Sequence, residues 1–272
     1  MDLDKALNQL AEDTAAPLDV AELSLCLARD EYADLDVDAY LSELTSMAHE
    51  AKKYVRGSLE KRVSGLSRYL FYEMGFRGNV EEYYDPRNSY LNDVLDRRTG
   101  IPISLSVLTM AIGARAGLVL EGIGLPGHFI VRAIADGAEV LFDPFHGGRQ
   151  LTPTDCENLV YQVSGASFQA TPENLQAVSL RHLVIRMLSN LKAVYLNQRD
   201  FPRAVRIIER LRQLSPDDLQ ERRDLGVSLI QAGQPGRAID HLAAYVAGAQ
   251  GSDTETVRRL LNEAYKDVGK WN

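Results

Sequence analysis

Cysteine is nearly missing from this chain, with only Cys26 and Cys156 among 272 residues. Neither has a second cysteine or a histidine at metal-ligand spacing, so disulfide frameworks and zinc motifs lack their parts, and a reducing cytoplasm is the expected compartment. Long apolar runs are missing as well. No stretch approaches the roughly 18 residues of a spanning helix, and the opening Met1-Asp2-Leu3-Asp4-Lys5-Ala6 has neither the basic start nor the apolar centre of an export signal. A soluble, unexported protein with no membrane contact is therefore expected. Positive charge is in deficit: 30 lysines and arginines stand against 38 aspartates and glutamates, for a net charge of −8. The basic residues lie scattered among the acids, which argues against a nucleic-acid surface. A glycine-rich phosphate loop with a trailing lysine is also lacking, and nucleotide chemistry drops out with it.

What remains is an ordinary globular composition, 45% hydrophobic and 25% charged, at a length that suits two domains. Residues 1 to about 76 read as helices. Val20-Ala21-Glu22-Leu23-Ser24-Leu25-Cys26-Leu27-Ala28 and Val37-Asp38-Ala39-Tyr40-Leu41-Ser42-Glu43-Leu44 repeat apolar groups every three or four positions, and Asp36 is placed to cap the second. From Ser58 to Met74, one stripe holds Leu59, Val63, Leu66, Leu70 and Phe71, with Gly75 as a stop. A further helix start is signalled by Gly100 and Pro102, because proline suits the first helical turn, and that helix is expected to run to about Ala116 before Gly117. Three short apolar runs follow, residues 118–123, 128–133 and 139–143. The Asp136-Gly137 pair between the last two favours a hairpin, and the set reads as a small antiparallel sheet.

Beyond Leu151 the pattern returns to helix. Laying Ala204 over Ala238 gives a 34-residue period, the tetratricopeptide spacing. In that register Tyr195 and Ala204 of one unit, and Leu225, Gly226 and Ala238 of the next, hold the positions where paired helices close, with Lys192 at the first unit's glycine position. A last helix beginning near Asp253 would cap the array.

The chemistry-bearing stretch is Tyr83-Tyr84-Asp85-Pro86-Arg87-Asn88-Ser89-Tyr90-Leu91-Asn92, continuing through Gly100-Ile101-Pro102-Ile103-Ser104-Leu105-Ser106, then Gly127-His128 and Phe142-Asp143-Pro144. These residues, with the repeats behind them, resemble the SirB-type transglutaminase-like family. The resemblance implies an α+β fold: a helical N-terminal segment (1–76), a papain/transglutaminase-like core with a small antiparallel sheet (77–165), a domain boundary at 176, and an all-α repeat segment over 177–272. It also implies a catalytic pattern of a cysteine at a helix N-terminus, where the partial positive charge favours thiolate, with a histidine and an aspartate on successive strands. Carried over by position, His128 is the histidine and Asp143 the aspartate. The cysteine falls at Pro102, which has no nucleophile.

Ser104, two positions along, could complete a serine–histidine–aspartate set, or its hydroxyl could satisfy a backbone group in the first helical turn. Similarly, His128 could be a proton carrier or a structural partner of Asp143. Tyr84, Asp85, Asn88 and Asn92 offer directional groups for a ligand, with turn and cap chemistry as the plainer reading, and His146 could reach over the same cleft. No cofactor or metal is expected. Three functions fit. The first is a non-catalytic binding protein that takes a peptide or small ligand in the old cleft and a protein partner on the repeats. The second is a hydrolase or acyl transferase using His128 and Asp143 with Ser104 or water, and the third a structural scaffold. Similar domains in some F-box proteins point by analogy to partner recognition.

Overall fold

The structure, a computed structural model, describes residues 1–12, 18–249 and 251–269. Helix α1 covers Leu3–Ala11. Helix α2, Val20–Ala28, begins where the Asp19 carboxylate accepts the amides of Ala21 and Glu22, and α3, Val37–Ala51, begins at Asp36, which accepts the Ala39 amide. The segment expected as one helix to Met74 is α-helical only over α4, Leu59–Ser67. Residues Arg68–Glu73 wind as a π-helix, in which Met74 N donates to Tyr69 O at 2.9 Å. The wider turn still buries Leu70 and Phe71, so the apolar stripe persists while the winding changes.

Strands β1, Arg77–Gly78, and β2, Thr99–Gly100, make a two-residue parallel pair. Between them lie a 3-10 turn, Pro86–Asn88, and helix α5, Leu91–Arg97. Helix α6, Pro102–Arg115, starts with proline in its first turn and is buried over most of its length, as a central helix must be. The main sheet has the order β3-β4-β5-β6, all antiparallel: β3 Val119–Leu125, β4 His128–Ala135, β5 Ala138–Asp143 and β6 Arg149–Leu151. Asp136 and Gly137 both take positive φ, 51° and 80°, in the β4–β5 turn, the conformation that aspartate and glycine tolerate best. Helix α7, Pro153–Ser164, opens with a reciprocal cap between Thr152 and Asp155.

Alternation along the strands divides the sheet's two faces. Phe129, Val131, Ala133 and Phe142 join a core with Leu105, Leu108 and Ile112 of α6, whereas Ile123, Ile130 and Leu141 join Cys156 and Val160 of α7. The sheet is thus the middle layer between α6 and α7.

The chain divides into two compact units, with a boundary between Met187 and Leu188 inside helix α8, Leu180–Asn197, and with α1 from Leu7 onward grouped with the second unit. The second unit continues with α9 Phe201–Leu214, α10 Leu219–Gln231, α11 Pro235–Gly248 and α12 Thr254–Gly269. Ala204 and Ala238, the residues that set the period, are both fully buried. At Gly226 a Cβ would lie 2.4 Å from the Leu242 side chain, so α10 and α11 close on each other there. Lys192 holds the corresponding position in the first repeat by a different means: its ammonium pairs with Glu221 at 2.7 Å and Asp224 at 2.6 Å. Among the described residues no helix is long and apolar enough to cross a membrane.

Candidate functional site

Pro102 occupies the first turn of α6, and Ser104 closes that turn. The Ser104 hydroxyl accepts the Ile101 amide at 3.0 Å and directs its hydrogen to Asn88 O at 2.6 Å, with Ile101 O at 3.2 Å. It shares no hydrogen bond with His128. The hydroxyl ties the helix start to the preceding loop, which is the local backbone role that serine commonly takes in a first turn.

The loop residues separate in the same way. Asn88 is fully buried; its amide nitrogen donates to Glu82 O and Tyr83 O and its oxygen accepts from Asn79 Nδ2 at 3.1 Å, so it stitches the loop to itself. Asp85 caps the 3-10 turn through the Arg87 amide and pairs with the guanidinium groups of Arg87 at 2.8 Å and Arg97 at 3.1 Å. Tyr84 is exposed, with its ring set edge-on to Tyr83. Asn92 is buried, and its Oδ1 has no protein partner.

Burial works against the Asp85 charge, but the bond from the Arg87 side chain, the Arg87 amide and the two cations outweigh it and hold the carboxyl below its usual value. A lowered folded value means the stabilisation is complete above the ordinary carboxylate range of about 4 and is lost as pH falls through the folded value. Asp85→Ala is therefore expected to cost about 1 kcal/mol at pH 7 through the lost cap, and Asp85→Asn to flatten the acid limb. Urea unfolding at pH 7 and pH 3 checks both; equal sensitivity of the wild type and Asp85→Asn to acid would refute the assignment.

The third group of expected residues does converge. His128 at the start of β4 and Asp143 at the end of β5 are buried together, with His128 Nε2 2.9 Å from Asp143 Oδ2. His146, which ends the 3-10 turn Pro144–His146, brings Nδ1 to the same oxygen at 2.7 Å. The other oxygen, Oδ1, accepts the amides of Phe145 at 2.9 Å and His146 at 3.4 Å. One carboxylate thus caps a turn with one oxygen and gathers two imidazoles with the other. Burial disfavours its charge, yet the two histidine bonds more than offset this and the carboxyl is held down to about 2. In turn, the bond to Asp143 raises His146 above its ordinary value.

Phe145 stands edge-on to both imidazole rings, 5.8 Å from His128 and 5.1 Å from His146. A hollow of about 350 Å³ opens beside Asp143 and His146, walled by Arg149, Asp155, Asn158 and Gln162. A second, of about 380 Å³, adjoins His146 on the side of Ser64, Arg68 and Tyr72. Behind the site, the Arg186 guanidinium donates to the carbonyls of His128 and Leu125, fixing the turn from which His128 projects. Sequence reasoning missed Phe145, Arg149 and Arg186. The first two sit beside a recognisable Asp-Pro signal, but Arg186 lies far along the chain and no local pattern marks it.

Neither thiol lies on α6, the helix whose start the family resemblance gives to the cysteine. Cys156 is buried, and burial, followed by the charges of Asp155, Asp143 and Glu157, pushes it up to about 11; burial raises Cys26 as well. A thiol that holds its proton this tightly presents about 100-fold less thiolate at pH 8 than an ordinary one, and the thiolate is the species that reacts. Cys156, which full burial also shields from reagent, is therefore expected to alkylate slower by at least that factor in the native protein than in urea. Timed iodoacetamide labelling read by mass spectrometry measures this, and equal rates would refute the assignment.

Comparison with known proteins agrees with this architecture. A family model described as the transglutaminase-like superfamily matches residues 38–189, and a tetratricopeptide-repeat model matches residues 191–262. The chain belongs to the transglutaminase-like superfamily. Within it, the chain is 36% identical over 248 residues to a "UPF0162 protein" of Xylella fastidiosa (strain 9a5c), covering 88% of this chain and 87% of that one. It is 30% identical over 198 residues to a "UPF0162 protein" of Vibrio cholerae, covering 72% and 71%. The mouse "F-box only protein 21" is 34% identical over 157 residues, 54% of this chain and 24% of that protein.

Proposed function

We propose that this chain is a binding protein that has given up acyl transfer, with a ligand or peptide held beside His128, Asp143 and His146 and a protein partner on the repeats. The observation that carries this reading is the start of α6: Pro102 fills its first turn, where the family resemblance implies the cysteine, and the Ser104 hydroxyl is spent on Asn88 O. A general base without a nucleophile cannot form the covalent intermediate. Tetratricopeptide repeats are a protein-interaction architecture, since stacked helix pairs build an extended concave surface.

The intact His128–Asp143 bond supports the second reading, a hydrolase that activates water. One experiment separates them. The full chain is exposed to serine-directed fluorophosphonate and cysteine-directed vinyl sulfone probes, and is assayed for hydrolysis of model esters and amides. No adduct and no turnover are expected. A Ser104 adduct, or turnover abolished by His128→Ala, would overturn the binding reading.

A further inference from the structure

We propose that His128, Asp143 and His146 form a site for one divalent first-row transition-metal ion, such as zinc or iron(II). Such a site goes beyond the binding reading and does not depend on it. The ground is donor geometry: one ligand atom from each of the three residues lies within 4.8 Å of the others.

The distances are close to what coordination needs. In a tetrahedral site with bonds of about 2.0–2.1 Å, neighbouring donor atoms stand about 3.4 Å apart. Asp143 Oδ2 lies 2.9 Å from His128 Nε2 and 2.7 Å from His146 Nδ1, so these pairs must separate by about 0.5 and 0.7 Å to reach that spacing. The two imidazoles must close on each other, and His146 is the ring with room to do so. Its side chain is half exposed, and it is followed by Gly147 and Gly148, both at positive φ. His128 is pinned by comparison, through the Arg186 guanidinium on its carbonyl.

The surroundings match a site built for a ligand set. Backbone amides of Phe145 and His146 hold Asp143 Oδ1, the outer-shell bonding that fixes a metal-binding carboxylate. Two of the three donor residues, Asp143 and His146, line the hollow of about 350 Å³, which gives a fourth position room for water or a substrate oxygen, as in catalytic rather than closed structural sites. Two nitrogens and one oxygen favour zinc, iron(II) or cobalt(II) over magnesium or calcium. The opposing charge is Arg149, which also lines the hollow, but its guanidinium is paired with Asp155 at 2.6 Å. Coordination balances simply. The ion loses bound waters, each neutral imidazole carries its hydrogen on the nitrogen away from the metal, and a cationic ring releases one proton to solvent.

The test uses the tag-free full chain, stripped with EDTA and titrated with zinc and with cobalt(II). One equivalent is expected to bind with a dissociation constant of about a micromolar or tighter. Equilibrium dialysis with elemental analysis gives stoichiometry and affinity, and cobalt(II) visible absorption reports the coordination geometry. His146→Ala is expected to weaken binding by at least about tenfold with unchanged circular dichroism in EDTA, Asp143→Asn to do the same, and His182→Ala to leave binding intact. Absence of stoichiometric binding, or binding indifferent to both His146→Ala and Asp143→Asn, would overturn the proposal while leaving the binding-protein reading untouched.

Discussion

Asp143→Ala is expected to destabilise the first unit by about 3 kcal/mol, the larger end of what a buried hydrogen-bonding group costs when it is removed. The carboxylate accepts four bonds, from the two histidine rings and from the amides of Phe145 and His146. Alanine leaves all four donors without their acceptor, and the His128 ring, 2% exposed, has little access to water as a replacement. At about 2–4 °C per kcal/mol for a domain of this size, the melting temperature of metal-free protein should fall by about 6–12 °C. Asp143→Asn should cost about half as much, because an amide oxygen can still accept the turn's backbone amides. Differential scanning calorimetry in EDTA measures both. If Asp143→Ala melted within about 2 °C of the wild type, the carboxylate would not organise this site.

Gly78→Ala should have a comparable effect for a different reason. A Cβ at Gly78 would stand 2.6 Å from the Phe145 ring and 2.8 Å from the Phe145 carbonyl oxygen. The ring could rotate away, but the carbonyl is backbone, so the turn carrying His146 must move. Overpacking of this kind costs about 1–3 kcal/mol, and a displaced backbone puts this case at the upper end. The control is Gly236→Ala in α11, where the nearest atom would be 3.7 Å away, so alanine should be neutral or stabilising by about 0.5 kcal/mol. Calorimetry of the two variants decides, and equal stability of Gly78→Ala and the wild type would mean that the close approach to Phe145 is not what fixes the turn.

The periodic elements were legible because their signals are local. Asp36 caps α3, the stripe from Leu59 to Phe71 is buried, and Asp136-Gly137 turns β4 into β5, each by a preference that a few neighbouring residues express. The π-helical turn at Arg68–Glu73 was not legible, since a π-turn keeps the same apolar residues and differs in which carbonyl each amide finds. Nor were β1, β2 and β6, which are two or three residues long and exist only because their partners are already in place.

The site was legible in part. His128 and Asp143 meet as the family pattern implies, because a register with Val131 opposite Phe142 makes those two positions diagonal neighbours on one face, within reach of each other's side chains. Asn88 and Ser104 lie in one hydrogen-bonded knot rather than around the pair, and Asn88 directs its amide to Glu82 and Tyr83 carbonyls. A loop rich in amides and hydroxyls looks the same in sequence whether those groups face a ligand or their own backbone.

The shared Asp143 oxygen has a consequence for proton traffic. In the metal-free molecule a carboxylate oxygen can only receive hydrogen, so the bond to Asp143 turns an N–H toward it at Nε2 of His128 and leaves Nδ1 as the ring nitrogen outside that bond. The ring behaves as a single-port device, wired at one end to the sheet.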